Sequence, residues 1–378
     1  MVPLVTSNAL TILASKDQFS ESLESLGLAN KYQKYRLTCN PFPAIGVFSL
    51  PTSRESQFPS EVFAGASIHI RRLMEDALQK TKPTVIFLNA QCGQGKSHFL
   101  GNLALNLAND KRIYPLFCQV YTSGGFSVVA ERAIQWIGLE GYCNLMFSFI
   151  ENLGFKKDEL FAEKASYVFG ELVSVLAKSF MIEERTVERI MKPFLRLDEG
   201  YAKLFQTSHM YKNLILITLA RLIKKTSDRK VLLIVDGLEN RWLDMYGNNK
   251  EMFFDNVIRF LELTKGDSMV VFSDSNCLKE DFSLFLRTSN FECTIKEVDL
   301  PCLNVFKSMK LVSNYLASAS AMKSPSSLNP FTRHCIKHLR KVTGGNTRQL
   351  VTLCHYLLEV GLESELPTIT LDAAKHLE

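Results

Sequence analysis

The apolar positions of this chain fall into two kinds of run. Short unbroken ones are Val85 to Leu88 (VIFL), Val231 to Val235 (VLLIV) and Met269 to Phe272 within SMVVFS. Their length and β-branched content predict buried strands, with Arg112 to Val120 a further candidate. Thr294 to Leu300 (TIKEVDL) alternates instead, as an edge strand does, and leads into Pro301. The second kind repeats at helical spacing. Phe63, Ile68, Ile70, Leu73, Met74, Ala77 and Leu78 trace an amphipathic helix ahead of the first strand. Further helices are predicted over His98 to Ala108, Phe126 to Ile137, Asn256 to Leu263 and Leu278 to Leu286. The tail adds three more, Val305 to Ser318, Phe331 to Val342 and Thr347 to Gly361. Strands separated by helices predict an α/β fold, a parallel sheet flanked by helices.

The same pattern divides the chain. Residues 1–57 read as an N-terminal arm and linker: the first 35 are polar and weakly helical, and Cys39 to Pro59 carries four prolines. Residues 58–300 hold all the strands, and 301–378 are helical. Between Gly138 and Thr226 the pattern is long and helical. A strand-to-strand crossover needs only a few tens of residues, so a helical insertion is expected at about 139–208. A lid, a partner surface and plain helical packing all fit that segment.

Composition narrows the class. Of 378 residues 46% are apolar, enough for a sizeable core, and 44 basic against 39 acidic residues leave a net charge of +5. That balance is compatible with nucleic acid without demanding it. No apolar run reaches the roughly 18 residues that span a bilayer, so no membrane partner is expected. The N-terminus lacks the basic start of a signal peptide. Nine cysteines form no C-x-x-C pair, and His69, His98, His334, His338 and His355 lack metal-ligand spacing. An intracellular, reducing location is therefore expected: the cytoplasm, or the nucleus in a eukaryote.

Chemistry concentrates in Thr84 to Leu100, TVIFLNAQCGQGKSHFL. A strand, a glycine-rich turn, Gly-Lys-Ser and a helix make a phosphate-binding loop. Gly93 and Gly95 permit positive φ and bring backbone N–H groups, with those of Gln94 and His98, against phosphate oxygens. The helix N-terminus adds positive potential. Lys96 reaches β- and γ-phosphates, and Ser97 ligates Mg²⁺. Ala90 stands where the usual pattern, G-x-x-x-x-G-K-[ST], has its first glycine. The second constellation is VLLIVDGLEN: Asp236 ends a strand, where it holds the metal, and Glu239 orients or deprotonates the attacking water. A plain Asp-Gly turn is the alternative for Asp236. After the next strand, Ser273 or Asn276 is placed to sense a γ-phosphate.

The order strand, CGQGKS, helix, LLIVDGLEN, VVFSDSN and a helical tail bearing TGGNTRQL resembles the AAA+ ATPases. Within them it is most similar to the origin-recognition and initiator group, while the DGLE form resembles the STAND signalling ATPases. The resemblance covers roughly residues 58 to 365. It implies a P-loop NTPase sheet with a C-terminal helical lid, ATP and Mg²⁺ as cofactors, and a homo- or hetero-oligomer of ATPase subunits. Arg348, in VTGGNTRQL, then corresponds to the lid arginine that touches the γ-phosphate. Arg287 corresponds to the arginine finger that serves a neighbouring subunit. Glu61 to Gly65 (EVFAG) looks like the adenine-side entry, with Ala66-Ser67 where the family has Arg-Glu. The dozen or so residues after the lid helix leave no room for the family's winged-helix domain. The expected function is ATP binding and hydrolysis coupled to assembly on DNA or a protein partner. The alternative is a nucleotide-holding scaffold with negligible turnover; a phosphotransferase fits the tail less well.

Overall fold

The computed structural model describes residues 31–43, 60–80, 82–120, 125–155, 165–180, 182–188, 209–238, 242–243, 245, 247–264, 266–274, 277–320 and 327–376. They fall into two compact units: Met1–Ala64, Cys92–Asn102 and Pro301–Glu378 form one, and Gly65–Gln91 with Leu103–Leu300 the other.

The second unit is built on five strands. β1 (Thr84–Asn89), β2 (Ile113–Gln119), β3 (Lys230–Asp236), β4 (Ser268–Asp274) and β5 (Thr294–Asp299) lie in the order β2-β3-β4-β1-β5. Every pairing is parallel. The three inner strands are apolar on both faces, because a parallel sheet is covered by helices on each side. Val85, Phe87, Leu233, Val235, Val270 and Phe272 belong to one core cluster. Residues of the opposite parity, such as Ile86, Leu88, Ile234 and Val271, are equally buried. Phe87 stacks on Phe272 with ring centroids 5.6 Å apart, and Phe282 lies 5.9 Å from Phe87.

The helices are α1 (Ala64–Gln79), α2 (Lys96–Leu107), α3 (Phe126–Asn152), α4 (Ala165–Phe180), α5 (His209–Ser227), α6 (Gly247–Leu263) and α7 (Cys277–Thr288). The sequence pattern ends the third at Ile137 and resumes near Leu145. In the structure helix runs through, with non-helical angles only at Gly138 (φ 75°, ψ 161°), so α3 is two helices joined by a kink. Tyr142, Met146, Phe149, Leu172 and Leu176, from the stretch expected as an insertion, sit in the same cluster as the sheet. The described helices of that stretch therefore pack their apolar faces into the same core as the sheet. β5 is an edge, as its alternation predicts. β2 is the other edge and contains Pro115, whose carbonyl accepts a hydrogen bond from Trp136 Nε1 at 3.1 Å.

The first unit closes on α8 (Val305–Ser318), α9 (Arg333–Val342), α10 (Thr347–Glu363) and α11 (Leu371–Lys375). Asn304, Thr332 and Asn346 cap the first three, each side-chain oxygen accepting from a backbone N–H three residues on. Gly345 (φ 82°) ends the turn between α9 and α10, where a Cβ would lie 2.3 Å from the Leu303 carbonyl; only glycine fits. Residues 31–43 pack on this bundle. Phe42 lies 5.5 Å from the ring of Tyr315 and 5.8 Å from that of Phe331. Lys31, Tyr32 and Asn40 all donate to the Glu359 carboxylate, at 2.6, 2.7 and 2.7 Å. The arm is therefore clasped to the bundle over these residues.

Candidate functional site

Every strand of the sheet ends on a polar residue at the same edge. Gln119 of β2 stands opposite Asp236 of β3, and Asn89 of β1 stands opposite Asp274 of β4 and Asp299 of β5. The C-terminal edge is thus a polar rim on an apolar sheet. β1 leads away toward β2 at one end, while its neighbour β4 leads past it to β5 at the other. Connections that leave adjacent strands in opposite directions open a crevice above that edge, the usual ligand position in such sheets.

The rim residues do different work. Asp236 is 1% exposed. Its loop is braced by Ser273, whose hydroxyl accepts from the Gly237 N–H at 3.0 Å. Asp274 is committed to structure: its two carboxylate oxygens accept from the Leu278 and Lys279 N–H groups, capping α7. Asn89 donates to Glu297 and to Asp299. Sequence reasoning singled out Asp236 and Ser273 but passed over Asn89, Gln119 and Asp299. The signal for them was the polar residue that closes each apolar run. Glu239 and Asn276 lie outside the described residues. Arg287 is exposed near the C-terminal end of α7.

The glycine-rich turn belongs to the first unit. Gly93 and Gly95 take φ of 83° and 99°. Ala90 needs no glycine, because its φ is not positive, and its N–H continues the ladder to the Asp274 carbonyl at 3.2 Å. α2 opens on Lys96, which is 5% exposed, and carries no acid in its first turn. Buried cation and positive helix end coincide there, an arrangement that favours an anion. Ser97 follows, half-buried. Gln94 is buried, and its side-chain amide donates to Cys302 Sγ.

The first turn of α10 is docked on this loop. Asn346 Nδ2 donates to the Cys92 carbonyl at 2.7 Å, the Arg348 N–H to the Gly93 carbonyl at 2.8 Å, and the Thr347 hydroxyl to the Gln94 carbonyl at 3.0 Å. Three successive carbonyls of the turn are thus satisfied by three successive residues. Arg348 Nη1 lies 3.7 Å from Cys92 Sγ. His98 is neutral over most of the pH range: burial, and then the nearby Arg348 charge, push its imidazole down to about 4. The structure therefore brings Arg348, His98 and the glycine turn together.

All nine cysteines are free thiols. Among the described residues, no group of three or more His, Cys, Asp and Glu side chains is placed to hold a metal ion. A magnesium ion bound by one or two protein oxygens, with phosphates and water as its other ligands, is compatible with that. Also among them, no helix is long and apolar enough to cross a membrane. No family model matches the chain, and no curated protein matches it.

Proposed function

We propose that this protein is a P-loop ATPase of AAA+ type that binds ATP with Mg²⁺, hydrolyses it, and couples the nucleotide state to assembly on DNA or on a protein partner. The observation that carries the reading is Lys96, a buried cation at the positive end of a 12-residue helix, directly after two left-handed glycines. A polyphosphate is the ligand that repays that concentration of positive potential. The polar rim of the parallel sheet supports it, with Asp236 as the acid for the metal. The reading requires Ser97 and Asp236 to share one magnesium ion, which when bound would neutralise charge on the transferring phosphate. Lys96 and the loop amides would hold the phosphates, Glu239 would position water, and Arg348 would answer the γ-phosphate from α10. The three bonds from α10 to the turn supply a route for coupling, since a change in the turn's peptides alters the seat of that helix.

Calorimetry tests the reading. Mg²⁺·ATP should bind the wild-type chain, and Lys96→Ala should weaken it at least a hundredfold; equal heats for the two would overturn the assignment. Glu239→Gln should retain ATP while losing phosphate release. Binding without turnover in the wild-type chain, with and without DNA, would instead establish the scaffold reading.

A further inference from the structure

We infer that the face formed by α8 and α9 is a docking surface for the backbone of duplex DNA. The inference names a partner for the coupling proposed above, but it does not rest on ATP binding. It starts from a gap in the charge pattern. Between Asp299 and Glu359 the chain contains no acidic residue, while it contains eight lysines and arginines. At the average of 39 acids in 378 residues, about six would fall there.

The fold gathers those cations. Arg340 Nε donates to the Leu303 carbonyl, and the Leu303 N–H donates to that of Gly345, so the start of α8 lies at the end of α9. Phe42 touches both Tyr315 and Phe331, which places the end of α8 at the start of α9. The two helices are therefore antiparallel neighbours. α8 brings Lys307 and Lys310, and α9 brings Arg333, Lys337, Arg340 and Lys341. On α9, Arg333, Lys337 and Lys341 are exposed and four residues apart. Helix geometry makes them one row that rises about 6 Å and turns about 40° at each step, roughly 12 Å along the axis. A DNA strand carries one phosphate per roughly 3.4 Å of axis, so such a row spans three to four of them.

This row is not an arrangement that folding favours. Like charges at i, i+4 repel, and Arg333 stands in the first turn, where the helix dipole disfavours a cation, although Lys341 in the last turn is favoured by it. Neither helix carries an acid; the helices packed against them bring Asp372 on α11 and Glu359 and Glu363 on α10, and Glu359 is already engaged by Lys31, Tyr32 and Asn40. An external polyanion repays the cost. A membrane surface is the poorer partner, because the apolar stripe of α9 (Cys335, Ile336, Leu339) is buried in the bundle and cannot enter lipid. Single strands are poorer too: they call for several aromatic platforms, and the exposed aromatic of these helices is Phe306 alone, 73% exposed.

The test is fluorescence anisotropy of a short labelled DNA duplex across a salt series, without nucleotide. The variant R333Q/K337Q/K341Q should bind at least tenfold more weakly and lower the slope of log affinity against log salt by about three. R71Q/R72Q, which removes exposed cations of α1, should leave both unchanged. Thermal melting should find the triple variant as stable as the parent or slightly more so, since it relieves repulsion. Lys96→Ala should still bind the duplex, so loss of the ATPase reading would leave this result standing. An unchanged salt slope in the triple variant, equal losses in both variants, or tighter binding to single strands or to vesicles of anionic phospholipid would each overturn the inference.

Discussion

Gly93 shows how much one residue can decide. Its φ of 83° excludes an ordinary side chain, and a Cβ there would lie 2.6 Å from Asn346 Oδ1 and 3.1 Å from Arg348 Cβ. Gly93→Ala should therefore cost at least about 2 kcal/mol, combining backbone strain with displacement of the first turn of α10. Asn346→Ala removes a helix cap and the bond to the Cys92 carbonyl, for about 1–2 kcal/mol. It also clears the nearer clash, so urea denaturation should find the double variant less destabilised than the sum of the singles. Strict additivity would show that Gly93 and Asn346 do not meet. The glycines, Lys96 and Arg348 were legible from their motifs. Their mutual contact was not, because it joins residues about 250 positions apart through hydrogen bonds that no local pattern encodes.

At the scale of elements, the clasp between residues 31–43 and α10 is held at Glu359. Burial alone would push this carboxyl up; the bonds from Lys31, Asn40 and Tyr32 outweigh it and hold the group at about 2. A carboxylate whose folded value lies below its unfolded one contributes its stability above the unfolded value, near 4.5. That contribution is lost as pH falls from there to about 2. Glu359→Gln should cost on the order of 1–2 kcal/mol at neutral pH, discounted for the exposed Lys31, and should flatten the acid limb of a stability profile. A variant that loses stability in parallel with the parent between these values would remove Glu359 from that role. The prolines suggested a linker here. What the pattern hid is that Phe42 within it, and Tyr35 and Leu37 just before it, are core residues, spaced without helical or strand period.

For the molecule as a whole, the five strands could be read as apolar runs, but their order could not. Neighbours in the sheet such as β1 and β4 are far apart in sequence, and pairing depends on how crossovers pack. The polar rim is a property of that order, which is why Asn89, Gln119 and Asp299 acquire meaning only once the strands are aligned. The centre of the sheet should dominate stability. Phe272, fully buried against Phe87 and Phe253, should cost about 3–5 kcal/mol as alanine, whereas Ile295 on the edge strand should cost less than half of that. Similar losses at both positions would mean that β5 is not peripheral.

Both margins of the sheet resist further pairing. On β2 a proline interrupts the outer row of donors, and the indole of Trp136 already occupies its carbonyl. On β5 the charged Lys296 and Glu297 stand on opposite faces of the strand, and Glu297 is paired with Lys279, so the edge is a charged one. Copies of this protein are thereby kept from stitching themselves into continuous ribbons. The assembly that the proposed function calls for would then be joined through surfaces other than these two strands.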